Sequence, residues 1–264
     1  MKTSIITNVE NEDRSYRELG EIITIILSKV MTNTLKIHEL TIAVAINNYD
    51  LTLCLPRFLQ SSGIVPKEWT LGSEPVANNQ LIQTVYSNGV NIIGQPTRCL
   101  FAENLEEKEP TSSEAPKIVS NYISALPNLE YQAVGINLRG YISLGKGGEA
   151  TSKEFFDKLL VSGSWQNKGT KPMEAELKLN YIFDDKVLTL NVNSGMLNKP
   201  EKEPIPIILF SGNFAYSMVQ DALDSRAERV KIIASNYQED IRLFQDVISG
   251  FPKITTKSKQ KATA

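Results

Sequence analysis

The stretch GYISLGKG, residues 140–147, sets Gly140, Gly145 and Lys146 at the G-x-x-x-x-G-K spacing of a phosphate-gripping loop. Such a loop turns backbone N–H groups around a phosphate, and a Ser or Thr directly after the lysine holds magnesium. Here Gly147 follows Lys146, so that hydroxyl is missing. The intervening residues, Tyr141-Ile142-Ser143-Leu144, continue an alternation in which Val134, Ile136, Leu138, Gly140, Ile142 and Leu144 share one side. Side chains committed to a sheet face are not free to curl around an anion. The motif therefore reads as a strand followed by a glycine-rich turn, LGKGGEA, that leads into a helix. Gly145, Lys146, Gly147 and Gly148 keep a weaker role as an anion-binding turn, because a helix N-terminus offers free N–H groups.

The other reactive groups are sparse. The chain has one histidine, His38, and two cysteines, Cys54 and Cys99. That leaves too few ligands for a zinc site built from several His and Cys. His38 reads as a strand-edge residue. The cysteines stand among apolar neighbours, in TLCLP and RCLFA, and read as reduced, buried thiols. Asp184-Asp185 falls in a hairpin turn, where Asp is favoured for backbone reasons. Glu174 and Glu176 share the wet side of a strand, and Glu106, Glu107 and Glu109 lie in an acidic loop. No G-x-S-x-G elbow and no G-x-G-x-x-G fingerprint is present. No catalytic residue, metal ligand or cofactor is assigned.

Composition narrows the classes further. With 264 residues the chain is long enough for one large domain or two small ones. A net charge of -2 supplies no global field that would draw it to nucleic acid or an anionic membrane. The opening residues, MKTSIITNVENEDRSY, lack the apolar core of a signal peptide. The most apolar run, IITIIL at 22–27, is too short to span a bilayer. The expectation is a cytoplasmic protein with no membrane segment.

Periodicity then lays out the elements. Residues 15–32 read as an amphipathic helix, opened by a Ser15/Glu18 capping box. A strand over 37–47, a short helix over 55–62 and a hairpin (QLIQTVY, SNG, VNIIG) follow. Residues 103–116 read as an acidic loop, 114–126 as a helix and 131–144 as the clearest strand. A helix over 151–161, a second hairpin (AELKLNYIF, DDK, VLTLNV) and a strand over 205–218 come next. A last long helix, with a Ser225/Glu228 capping box, ends at Gly250 and Pro252.

Three features recur in order at offsets of 94 to 100 residues: the strands near 37 and 131, FLQSSG and KLLVSG, and VYSNGVNI and IFDDKVLT. The pattern predicts an α+β fold, a mainly antiparallel sheet with helices on one face. It is read as a tandem duplication of a ferredoxin-like strand-helix-hairpin-helix unit. The divisions are 1–33, the N-terminal helix; 34–128, the first repeat; 129–252, the second repeat with the long helix; and 253–264, a basic tail.

These features point to a non-catalytic protein–protein interaction or assembly module, with a protein partner or self-association. Two surfaces are candidates. One is the polar face of the clearest strand, with Tyr131, Asn137, Arg139 and Tyr141. The other is a narrow apolar seam on the end helices, Leu19, Ile23, Ile26 and Val30 with Tyr237, Ile241 and Phe244. A nucleic-acid-binding accessory protein, stacking bases on the exposed sheet aromatics beside the basic tail, is the first alternative. A metal-dependent hydrolase built on carboxylates is the second.

Overall fold

The computed structural model describes residues 34–144, 148–170, 173–198 and 203–253. The helix expected over 15–32, with Leu19, Ile23, Ile26 and Val30, lies outside these residues. So do Gly145, Lys146, Gly147 and the tail from 254 onward.

Among the described residues nine antiparallel strands form one sheet: β1 (Lys36–Asn47), β2 (Val76–Ala77), β3 (Ile82–Val85), β4 (Val90–Gln95), β5 (Arg98–Asn104), β6 (Glu130–Ser143), β7 (Glu176–Ile182), β8 (Val187–Leu197) and β9 (Ile205–Ser217). Their order is β2-β3-β4-β5-β1-β6-β9-β8-β7. The helices are α1 (Pro56–Ser61), α2 (Ala115–Ala125), α3 (Gly148–Leu159), α4 (Arg226–Ser235) and α5 (Tyr237–Ser249). The fold is α+β, as the periodicity predicts.

The alternation along each strand sorts its side chains. Leu40, Ile42 and Val44 of β1, Ile136 and Leu138 of β6, and Phe210 and Phe214 of β9 are buried on one face. Helix residues such as Val119 and Tyr122 of α2, Phe155 of α3, Val230 of α4 and Phe244 of α5 join them in one continuous core. Burying one apolar stripe per helix against one sheet face is the usual layered solution. The opposite face carries no helix among the described residues.

Read outward from the centre, the two halves have the same order, β1-β5-β4-β3 and β6-β9-β8-β7. The central strands pair with Ile42 facing Ile136, two residues separated by the smallest of the repeat offsets. The ferredoxin-like unit is not shown by this order: in each half the last three strands run as a meander beside the first, and every pairing among the described strands is antiparallel.

Two further elements depart from the reading. β5 pairs with both β4 and β1, and only its last two residues, Glu103 and Asn104, overlap the expected loop. Glu103 is an acid in a core position at 1% exposure. Its carboxylate accepts from Ser113 Oγ (2.6 Å), Glu114 N (2.7 Å) and Ala115 N (3.2 Å), and pairs with Lys108 Nζ (2.6 Å). Glu103 thus satisfies backbone donors at the start of α2, where the side chain of the N-cap residue Glu114 makes no capping bond. The last long helix is two helices, broken at Asn236 (φ -91°, ψ 9°). Ser225 Oγ donates to Ala222 O instead of forming the expected capping box.

Candidate interaction face

Strand register decides which open-face side chains sit side by side. One row across eight strands runs Gln83, Ile93, Leu100, Ala43, Gly135, Ala215, Val187, Ile182. The adjacent row runs Val85, Asn91, Ala102, Thr41, Asn137, Asn213, Thr189, Asn180. Neither row contains a charged residue. The first is mostly apolar or small; the second is mostly amide and hydroxyl. At about 4.8 Å per strand the rows extend roughly 35 Å. Ala215 and Asn213 are exposed, and Ile182 at the outer end is 84% exposed.

The rows are shaped by local contacts. Asn137 Nδ2 donates to Thr41 O at 3.2 Å, and Thr189 Oγ1 donates to Asn180 Oδ1 at 2.9 Å. Gly135 leaves room for the amides: a Cβ there would stand 3.1 Å from Asn213 Oδ1 and 3.5 Å from Asn137 Nδ2. Charge appears only beside these rows. Arg139 and Glu39 face each other in the next row, with Arg139 Nη1 3.8 Å from Glu39 Oε2. Ser211, Asn191 and Lys178 continue that row.

The four residues expected on this face separate. Asn137 and Arg139 lie on it. Tyr131 does not. A register shift between Ala45 and Ile46 puts Gln132 out of step and turns Tyr131 to the helix side, where it is 1% exposed. Its hydroxyl donates to Leu126 O at 2.6 Å. Tyr141 keeps the expected side but is only 6% exposed. Its ring packs on His38 at 5.4 Å, and its hydroxyl reaches Glu106 Oε1 at 3.4 Å. His38 is itself the extra residue of a second bulge, between Ile37 and Glu39, so Ile37 rather than His38 enters the core. The aromatics that base stacking would use are therefore covered.

The C-terminal part of the apolar seam also resolves differently. Tyr237, Ile241 and Phe244 are buried in this chain's own core, and Phe244 is fully enclosed. Phe244 sits over Gly212 of β9, where a Cβ would come within 2.8 Å of its ring. Of the anion turn, Gly148 opens α3, while its three companions lie outside the described residues. Gly140 to Ser143 are ladder residues of β6, paired with β9 throughout.

Two acidic features of the second half are tied to cations. Asp185 Oδ2 stands 3.7 Å from Arg229 Nη2. Deeper, Asp240 in the first turn of α5 accepts from Lys186 Nζ at 2.8 Å and from the Tyr216 hydroxyl at 2.9 Å. Lys186 lies 5.7 Å over Phe214 and 5.5 Å over Tyr216. Burial raises the Asp240 carboxyl above its ordinary range, against the hydrogen bonds from Lys186 and Tyr216. The same burial, with the neighbouring Asp240, pushes the Tyr216 hydroxyl up.

Among the described residues no group of three or more His, Cys, Asp or Glu stands close enough to hold a metal. No described helix is long and apolar enough to cross a membrane. Sequence reasoning found Asn137 but missed Thr41, Asn213, Thr189, Val187 and Ile182. Each shows the correct parity in its own strand, but only the pairing joins them. The chain matches no protein-family model and no curated protein.

Proposed function

We propose that the protein is a non-catalytic interaction module that binds a protein surface through the open face of its sheet. The observation that supports this is the pair of adjacent uncharged rows, from Gln83 to Ile182 and from Val85 to Asn180. Uncharged groups lose less than charged ones on leaving water, and amides and hydroxyls can exchange water for partner donors and acceptors. Interface cores are depleted in charge for the same reason. Arg139 and Glu39 supply one charged pair beside the rows, where it would fix orientation more than affinity.

The matching strand order of the halves supports a second element of the reading, an internal repeat of a strand, a helix, three paired strands and a closing helical segment. A cytoplasmic setting fits two free cysteines.

The test is capture and sedimentation of the full chain beside Asn213→Arg and Ala215→Arg. Both sites are exposed in the middle of the rows. The wild type is expected to hold a stoichiometric partner, or a second copy, that both variants lose without a change in Tm. Variants that keep the same partner would overturn the assignment to this face.

A further inference from the structure

Cys54 and Cys99 belong to the first half, far along the chain from each other, yet their sulfurs are 3.4 Å apart. Both are free and both are fully buried. The approach depends on neighbours of specific type. Gly94 of β4 pairs directly with Cys99 of β5. A Cβ at Gly94 would stand 2.9 Å from the Cys54 sulfur, so the missing side chain is the space that this sulfur fills. On the other side the Tyr49 hydroxyl lies 2.9 Å from Cys54 Sγ and 2.6 Å from the Tyr122 hydroxyl. Cys54 is thus held between a glycine and a hydroxyl, aimed at Cys99.

Its backbone is thin cover. Cys54 ends a four-residue turn, Leu51–Cys54, whose Thr52 is exposed. Asp50 caps that turn from an exposed position, and Asn48 before it has φ 50°. A short turn of this kind opens locally at low cost compared with the strands beneath it.

We propose that Cys54 and Cys99 are an oxidation site, which a peroxide converts into an intramolecular disulfide that pins the Leu51–Cys54 turn to β5. The Cys54 thiolate attacks one peroxide oxygen, the O–O bond breaks, and the departing oxygen takes a proton and leaves as water. The resulting sulfenic sulfur is attacked by Cys99, which gives up its proton, and the hydroxyl leaves as a second water. Two thiols and one peroxide become one disulfide and two waters, with both sulfurs oxidised and both peroxide oxygens reduced. The partners differ in the required sense. The hydrogen bonds from Cys99 and Tyr49, against burial, lower the Cys54 thiol, while burial holds the Cys99 thiol well up. A sulfur–sulfur bond needs about 2.05 Å, so the sulfurs close in from the 3.4 Å at which they already stand.

The experiment treats the full-length wild-type protein with hydrogen peroxide, quenches it, and unfolds it in a maleimide. Non-reducing peptide mapping then follows. The expected result is a peptide carrying Cys54 joined to one carrying Cys99 in monomeric protein, reversed by dithiothreitol. Two maleimide-labelled cysteines, a sulfinic acid on either residue, or a bond between two chains would each overturn the proposal. Gly94→Ala retains both thiols and moves the Cys54 sulfur off its seat, so it is expected to slow bond formation several-fold. Bond formation at the wild-type rate in that variant would also count against the geometry.

Discussion

His38 is the chain's one histidine, which makes its titration readable. Its Nδ1 is buried without a hydrogen-bond partner among the described residues. Burial lowers its pKa from the ordinary 6.5, against the attraction of Glu39 and Glu106 and with the help of Arg139 and Lys36. A lowered folded-state pKa means that the unfolded chain binds the proton more readily. The stability contributed by neutral His38 is present above pH 6.5 and is lost as pH falls through the folded value. NMR titration of the single ring should therefore give a pKa below 6.5, and denaturation midpoints should fall on acidification through that window less in His38→Gln than in wild type. A ring titrating at or above its ordinary value would contradict the packing described. Asp240 and Lys186 make a sharper test, since both side chains are nearly inaccessible. Asp240→Ala leaves the buried Lys186 ammonium only the distant, exposed Glu239 carboxylate at 4.0 Å, and should cost about 3–5 kcal/mol in a denaturant titration. Replacing both partners with apolar residues should recover much of that loss.

Among the elements, α5 carries the clearest outcome. The spacing of its residues Tyr237, Ile241 and Phe244 leaves both an intramolecular and an intermolecular seam open. They pack on β9 and its neighbours, and Gly212 gives Phe244 its depth. Phe244→Ala should destabilise by about 3–5 kcal/mol. Gly212→Ala should cost about 1–3 kcal/mol by pushing the ring out of place. Neither should alter the mass seen by sedimentation under native conditions; a change of mass without loss of stability would return the seam to the surface. The two bulges act at the same level. Each moves one residue out of step, and a single step exchanges faces. Parity along 131–143 put Tyr131 on the wet side, and the register shift beside Ala45 reverses it.

Across the sheet as a unit, β1 and β6 join the halves edge to edge, and the helix layer is closed by contact of α2 with α4. Tyr237 Oη of the second half donates to Thr111 O of the first at 2.6 Å, and Gln238 Nε2 donates to the same oxygen at 3.3 Å. Separate unfolding of the halves would expose both layers at once. Heating should give one transition, coincident in far- and near-UV circular dichroism; two resolved steps would show the halves to be independent. The open face should behave oppositely to the core. Ala215→Arg is expected to shift stability by no more than about 0.5 kcal/mol, while abolishing the proposed binding at this face.

The amino-acid order by itself settled the class of fold, because alternation at two and at three to four residues is a local property that survives without knowledge of neighbours. It also showed that the phosphate-loop spacing beginning at Gly140 continues a strand through Ser143. What it could not carry was register. Glu103 in a core position concealed the end of β5, Gln132 displaced Tyr131, and the uncharged rows exist only once eight strands are set side by side. Pairing between distant segments is fixed by burial of the whole core, so the surface and the approach of Cys54 to Cys99 were decided by tertiary structure alone.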